Sequence, residues 1–385
     1  MIFFAIVFYI LTGSCILYVL NIAYLSYGWY SLGEYNRNFS RPSTLVSILI
    51  PVRNEELNIL DCLTDVAHQD YPSELFEIIV IDDVSQDKTV SIVKKFIDEH
   101  PEKNIRLLIL KEEEKNTFKK RAITNGVKQA KGTLIVTTDA DCTMNEKWLS
   151  TIVNYYETYG VSMIAGPVCM NEKKSLFQKL QSLEFLSLIV SGAASITLNR
   201  PILCNGANLA YEKSSFEFAN GFKENEKYAS GDDIFLMHKL VKRKERIGFI
   251  RNTDAIVYTQ ANNNLKGFVS QRVRWISKTR SCKDFFTILT AVIVYFFNTI
   301  LLAGLITGIF FPIFYKIFLI FFVVKLFIDL PLIGGITFFM GRFQLMLFYL
   351  PMQIINIIYV PVVGMLGNFS TYSWKGRKIK RFRGK

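Results

Sequence analysis

The six cysteines form no CxxC pair and the three histidines lie far apart, so neither a zinc site nor a disulfide framework is indicated. Scattered thiols are most simply read as reduced, in a cytoplasm. No internal repeat or low-complexity segment is visible, which leaves no basis for a repeat architecture. Charge is missing altogether from Met1 to Gly33 and is sparse in a second apolar block from Phe285 almost to Trp374. Windows of roughly 20 apolar residues span a bilayer as helices, whereas a cleavable signal has a shorter core and a basic start. The first block lacks that start, and Ile2 to about Tyr24 is expected to be a retained transmembrane anchor within residues 1–33.

The chain has 385 residues, 50% hydrophobic and 14% aromatic, enough for one sizeable domain with apolar residues to spare. That domain is expected between the blocks, over 34–284. Net charge is +12, and the last eleven residues, KGRKIKRFRGK (375–385), hold seven Lys and Arg and no acid. A basic tail beside apolar segments fits the anionic inner face of a lipid bilayer. Nucleic-acid binding is the rival reading of such charge and is set aside because these basic residues adjoin membrane spans.

Within 34–284, short apolar runs alternate with helical spacing. LVSILIPV, FEIIVIDD, IRLLIL and TLIVTTDADC read as strands; RNEELNILDCL, VSIVKKFIDEH and RAITNGVKQAKG read as helices. The alternation predicts a mostly parallel sheet covered on both faces. Ligands of such sheets bind beyond the carboxyl ends of the strands, where this chain places Arg53 and Glu55, Asp82 and Asp83, and Asp139 and Asp141.

Asp82 and Asp83 are equally readable as caps of the following helix. Asp139 and Asp141 are spaced so that both can turn toward one hard cation, Mg2+ or Mn2+, shared with substrate phosphates; a plain turn with an Asp cap is the alternative. Gly206, in CNGANLAYEKSSF, marks a close backbone approach, after which the chain is expected to return to a short strand and a helix. Asp232 and Asp233, in SGDDIFLMHKL, precede a helix and by themselves would be ordinary helix-start acids. QRVRWISKTR, with Gln271, Arg274 and Trp275, would by itself be an interfacial anchor.

In this order the strings resemble the membrane-bound family 2 glycosyltransferases, the group of cellulose, chitin, hyaluronan and poly-N-acetylglucosamine synthases and ceramide-type glucosyltransferases. The resemblance covers about Val46 to Lys278. IPVRNEE (with Pro51) resembles the first-strand motif, VIDDVSQDKT the base-binding one, KKRAITNGVKQAKG the lysine-containing helix, TTDADC the DxD, GANLAYEKSSF the acceptor-side glycine segment, GDD the catalytic acid, and QRVRW the Q(Q/R)xRW signature. The glycine that usually precedes the lysines is replaced by Phe118.

The resemblance implies a GT-A-like α/β domain that binds a nucleotide sugar, between amino- and carboxy-terminal transmembrane helices. It implies an inverting hexosyl transfer to a lipid or glycan acceptor at the membrane. Asp139 and Asp141 would hold the cation, and Asp233, beside Asp232, would be the general base. Pro51, Arg53, Glu55, Asp82 and Asp83 would take the nucleoside, Lys120 and Arg274 the phosphates, and Gly206, Gln271 and Trp275 the acceptor. A processive synthase that also extrudes its product is the alternative enzyme, and a non-catalytic membrane scaffold the alternative of another class.

Positive-inside reasoning places the domain in the cytoplasm of an inner-membrane-type protein. Three carboxy-terminal spans (285–309, 317–339 and 345–367) would then strand the basic tail outside, so one is expected to be re-entrant or interfacial. Segments 177–196 and 265–276 read as surface helices near the membrane. Lys325 and Asp329 would share one helix face and pair inside the membrane. The oligomeric state is left open.

Overall fold

The computed structural model describes residues 2–38, 41–111, 118–172, 175–225, 231–279, 282–369, 372–374 and 377–379. Of the basic tail, only 377–379 lies inside that set.

The strands are β1 (Val46–Val52), β2 (Phe76–Asp82), β3 (Ile105–Ile109), β4 (Leu134–Thr137), β5 (Thr143–Met144), β6 (Met163–Ala165), β7 (Val168–Asn171), β8 (Leu209–Glu212), β9 (Ile247–Phe249), β10 (Val257–Gln260), β11 (Tyr372–Trp374) and β12 (Arg377–Ile379). Among them run helices α1 (Ile2–Ser31), α2 (Ile59–Ala67), α3 (Thr89–Glu99), α4 (Phe118–Gln129), α5 (Trp148–Tyr159), α6 (Leu176–Thr197), α7 (Lys213–Phe218), α8 (Asp232–Lys242), α9 (Leu265–Thr279), α10 (Phe285–Phe310), α11 (Pro312–Phe339) and α12 (Tyr349–Phe369).

The main sheet has the order β3-β2-β1-β4-β8-β6-β9, parallel except for β8. Its central strands are apolar on both faces and buried, as helices on both sides of a parallel sheet require. The chain runs outward from β1 to β3 and then returns to pair β4 on the other side of β1, so the strand order reverses between β1 and β4. Such a switch point opens a crevice at the carboxyl ends. Pro51 helps to open it. The β1–β4 pairing ends at Leu49 and Thr137, so the proline, which has no N–H to give, lies just beyond the ladder. A second sheet, β5-β10-β7, closes one side of the crevice.

Among the described residues, five helices are long and apolar enough to cross a membrane: Phe8–Ser31, Leu176–Thr197, Phe285–Phe310, Pro312–Phe339 and Phe343–Gly367. Near the end of the first, Trp29 is fully buried under the Arg251 guanidinium at 4.4 Å, while Arg251 Nη1 donates to the Leu32 carbonyl at 2.7 Å. This contact fastens the end of α1 to the segment that follows β9. A single residue, Phe311, joins α10 to α11. The helix expected at the surface near 177–196 is instead mostly buried, packed against α1, α11, β7 and β9. Leu183, Glu184, Phe185 and Leu186 are buried in succession, about 100° apart around the axis, so no wide exposed face is left and the helix is a wedge between the sheet and the other long apolar helices. Lys325 and Asp329 pair as expected, at 2.6 Å, both buried.

Candidate active site

The crevice at the switch point is a cavity of about 380 Å³. Pro51, Arg53, Glu55, Asp83, Asp139, Asp141, Gly206, Asp232, Asp233, Gln271, Arg274 and Trp275 all line it. They arrive from the ends of β1, β2 and β4, the turn before β8, the start of α8, and α9. Gly231 stands before α8 at φ +88°, a conformation that disfavours any side chain, and this turn delivers both acids to the positive end of the helix. Asp233 Oδ1 accepts from the Ile234 N–H at 2.8 Å. Gly206 fits where expected: a Cβ there would stand 3.1 Å from Asp232 Oδ2 and 3.3 Å from Lys119 Nζ.

Two expected residues stand elsewhere. Asp82 does not line the cavity; its carboxylate accepts from the Ser85 N–H at 3.1 and 3.3 Å, closing the turn after β2 rather than capping the following helix. Lys120 points away, donating to the Asn225 carbonyl at 2.8 Å and lying over the Phe235 ring at 4.7 Å. Its neighbour Lys119 takes the place at the cavity: Nζ lies 2.5 Å from Asp139 Oδ1 and 3.4 Å from Asp232 Oδ2. Burial disfavours a charged amine there, but Asp139, Asp232 and Asp233 outweigh it and raise the Lys119 pKa.

At the β2 end of the cavity, Asp83 is paired with Arg121 at 2.6 Å, and Arg53 Nη1 donates to the Asp83 and Val84 carbonyls. Glu55 accepts from Asn58 Nδ2 at 2.9 Å. The wall thus combines carboxylates with the backbone of the β2 end. Two buried thiols back the DxD. Cys62 Sγ reaches the Asp139 carbonyl at 3.6 Å, and burial, with Asp141 next, holds the Cys62 and Cys142 thiols well above their usual pKa. They are inert neighbours rather than nucleophiles.

Sequence reasoning passed over Asn205, Thr259, Asn262 and Phe185, all at the cavity. The run Ala261-Asn262-Asn263-Asn264 immediately before α9 was an available signal for Asn262. Phe185 comes from α6, far away in sequence, and nothing local marked it.

No group of three or more His, Cys, Asp or Glu that could hold a metal ion occurs among the described residues. The donor set at Asp139 and Asp141 nonetheless suits a cation that completes its shell with phosphate oxygens and water. Both are hard oxygen donors, both are partly open to the cavity, and Mg2+ characteristically takes only one or two protein carboxylates beside substrate phosphates.

The sequence matches known families. Residues 134–366 match the family described as Glycosyl transferase family group 2, and residues 47–217 match Glycosyl transferase family 2. The chain belongs to the family 2 glycosyltransferases. It is 26% identical over 249 residues to an N-acetylglucosaminyltransferase of Rhizobium meliloti, covering 62% of this chain and 57% of that protein. It is 26% identical over 232 residues to a poly-beta-1,6-N-acetyl-D-glucosamine synthase of Staphylococcus epidermidis, covering 60% and 53%. A stretch of 123 residues is 34% identical to the glycosyltransferase AglE of Haloferax volcanii, covering 32% and 39%. The chain therefore spans about half the length, or less, of these relatives. Among solved structures, a mannosyltransferase of Pyrobaculum calidifontis in complex with GDP-Man and Mn2+ superposes with a TM-score of 0.59 at 17% identity, covering 94% of this chain and 98% of that one. That likeness is one of fold.

Proposed function

We propose that the chain transfers a sugar from a nucleotide-sugar donor to a lipid or glycan acceptor at the membrane, inverting the anomeric centre. One observation carries this reading: the carboxylates of Asp139, Asp141, Asp232 and Asp233, the cations of Lys119 and Arg274, and the Gln271–Trp275 wall converge on one cavity from separate segments.

The leaving nucleoside diphosphate gathers negative charge as the glycosidic bond breaks. A divalent cation bound by Asp139 and Asp141 would supply Lewis-acid stabilisation of that charge. Arg274 offers a planar guanidinium to phosphate oxygens, and Lys119, rather than Lys120, offers a second positive charge. Asp233 would take the proton from the acceptor hydroxyl as its oxygen attacks the anomeric carbon from the face opposite the diphosphate. Asp232, held toward Lys119, keeps the neighbouring charge balanced. Trp275 offers a flat apolar face to an acceptor ring.

The membrane placement follows the same reading. Arg342 pairs with Glu172 of the catalytic domain at 3.7 Å, and Gly367 packs against Ile276 of α9. Both ends of the segment that contains α12 therefore touch the catalytic side. Phe268 against Tyr359, at 5.5 Å, sets α12 and α9 running in the same direction. These contacts support α12 as the re-entrant segment, α1, α10 and α11 as spans, and a tail that stays with the catalytic domain in the cytoplasm.

The named relatives favour an N-acetylhexosamine donor, and the poly-beta-1,6-N-acetyl-D-glucosamine synthase keeps a processive enzyme as the second reading. The test is nucleotide release by the purified protein from a panel of UDP- and GDP-sugars, with membrane lipid extract as acceptor. Release from one donor, abolished by excess chelator and restored by Mg2+ or Mn2+, is the expected result. Full turnover in excess chelator would overturn the role of Asp139 and Asp141.

A further inference from the structure

Behind the acceptor wall lies a buried ion pair that the chemistry above does not use. Arg272, only 2% exposed, reaches from α9 to Glu184 of α6: its Nε donates to both carboxylate oxygens at 3.1 Å, and Nη2 donates to Oε2. Its Nη1 donates to Gln271 Oε1 at 2.6 Å. Its guanidinium lies over two rings, Phe268 at 4.6 Å and Trp275 at 4.2 Å. Glu184 also accepts from the Tyr359 hydroxyl of α12 at 3.2 Å.

Gln271 Oε1 takes a second hydrogen bond, from Asn262 Nδ2 at 2.9 Å. An amide oxygen has two lone pairs, and here both are engaged. The amide can then offer the cavity only its NH2, a donor suited to a sugar oxygen. The same guanidinium that fixes the amide also stacks on the Trp275 ring.

We propose that Arg272 and Glu184 are positioning residues for the acceptor wall: together they fix Gln271 as a hydrogen-bond donor and Trp275 as a stacking platform for an oxygen-rich sugar acceptor, and they tie both to α12 through Tyr359. This rests on the reading of Gln271 and Trp275 as the acceptor side. A buried ion pair is seldom needed for stability alone, since a well-packed apolar pair commonly replaces it without loss. Holding α6 against α9 requires only packing. Setting an amide and a ring in register requires the planar, multiply bonded guanidinium.

The experiment uses the full chain in vesicles of phosphatidylethanolamine and phosphatidylglycerol. Two variants are compared with wild type: Arg272→Lys, which keeps the charge, and the double Arg272→Met/Glu184→Leu, which keeps the packing. UDP affinity in the presence of Mn2+ is measured by calorimetry, and UDP release from UDP-N-acetylglucosamine is measured against N,N′-diacetylchitobiose as the acceptor probe. In both variants UDP affinity should stay within about twofold of wild type while the acceptor KM rises about tenfold or more. A wild-type acceptor KM in the folded double variant would overturn the proposal, as would a fall in UDP affinity matching the rise in KM. A cryo-EM map of the double variant decides the point without catalysis: Gln271 and Trp275 should leave their places while α9 stays, and finding both unmoved would overturn the proposal. Failure of the transferase reading would show separately, as wild-type protein that releases no nucleotide from any donor, and the map comparison decides the positioning role in that case too.

Discussion

Removing one member of the Lys325–Asp329 pair should damage the membrane part of the protein, and removing both should largely repair it. Lys325 Nζ donates to Asp329 Oδ2 at 2.6 Å and to Gln353 Oε1 of α12. Asp329 also accepts from the Tyr18 hydroxyl of α1 at 2.8 and 2.9 Å and from Gln353 Nε2 at 3.0 Å. The cluster thus joins three helices with every charge met. Deleting one partner of a buried pair costs about 3–5 kcal/mol, and the two deletions should differ within that range. Lys325→Met leaves Asp329 with the Tyr18 hydroxyl and the Gln353 amide, so it should fall near the lower end. Asp329→Leu leaves Lys325 with one amide oxygen and the Tyr18 ring at 5.5 Å, so it should fall near the upper end. The double variant removes both charges from a low-dielectric site and should return to within about 1 kcal/mol of wild type. Thermal melting in lipid nanodiscs should therefore order the proteins as wild type and double variant highest, Lys325→Met lower, and Asp329→Leu lowest. A harmless single change, or a double variant no better than the worse single, would refute the reasoning.

Lys119→Met should cut transfer by about tenfold or more with little change in melting, because the amine faces the cavity, whereas Lys120→Met should chiefly lower the melting temperature; a rate assay with a parallel melt separates them. His238 is held below its ordinary pKa of 6.5 by burial first and by Lys242, against the pull of Asp284. Below that value the unfolded chain binds a proton that the folded chain resists, so His238 favours folding above about pH 6.5 and its contribution is lost as pH falls through the window beneath. His238→Gln should flatten the acid limb of a melting-temperature profile, and an unchanged limb would contradict this.

The central strands were legible because each is a continuous apolar run ending in polar residues, and their alternation with helices predicted a mostly parallel sheet; the strand order was not legible, because nothing local tells β4 to return to the other side of β1. The short strand after Gly206 was legible as β8, but not its antiparallel pairing, and the small sheet of β5, β10 and β7 was not, since its strands of two to four residues leave no period to read. The choice between Lys119 and Lys120 turns on helix phase: adjacent residues differ by about 100°, so placing the helix on the sheet decides which amine meets Asp139. A surface reading of α6 ignored that its apolar residues surround the helix. Lys325 and Asp329 were readable because their pairing is local, within one helical turn. Arg272 and Glu184 were not, because their partnership spans 88 residues and appears only once the fold brings α9 within reach of the Glu184 side chain.

The most direct test of the account is the separation of donor binding from transfer in Asp233→Asn. If the cavity is a nucleotide-sugar site and Asp233 is its base, nucleotide affinity in the presence of Mn2+ should stay near that of wild type, while transfer falls by roughly two to four orders of magnitude. Asp232→Asn, measured alongside, should be milder. Loss of nucleotide binding in Asp233→Asn would make Asp233 a donor-site residue, and undiminished transfer would remove it from the chemistry altogether.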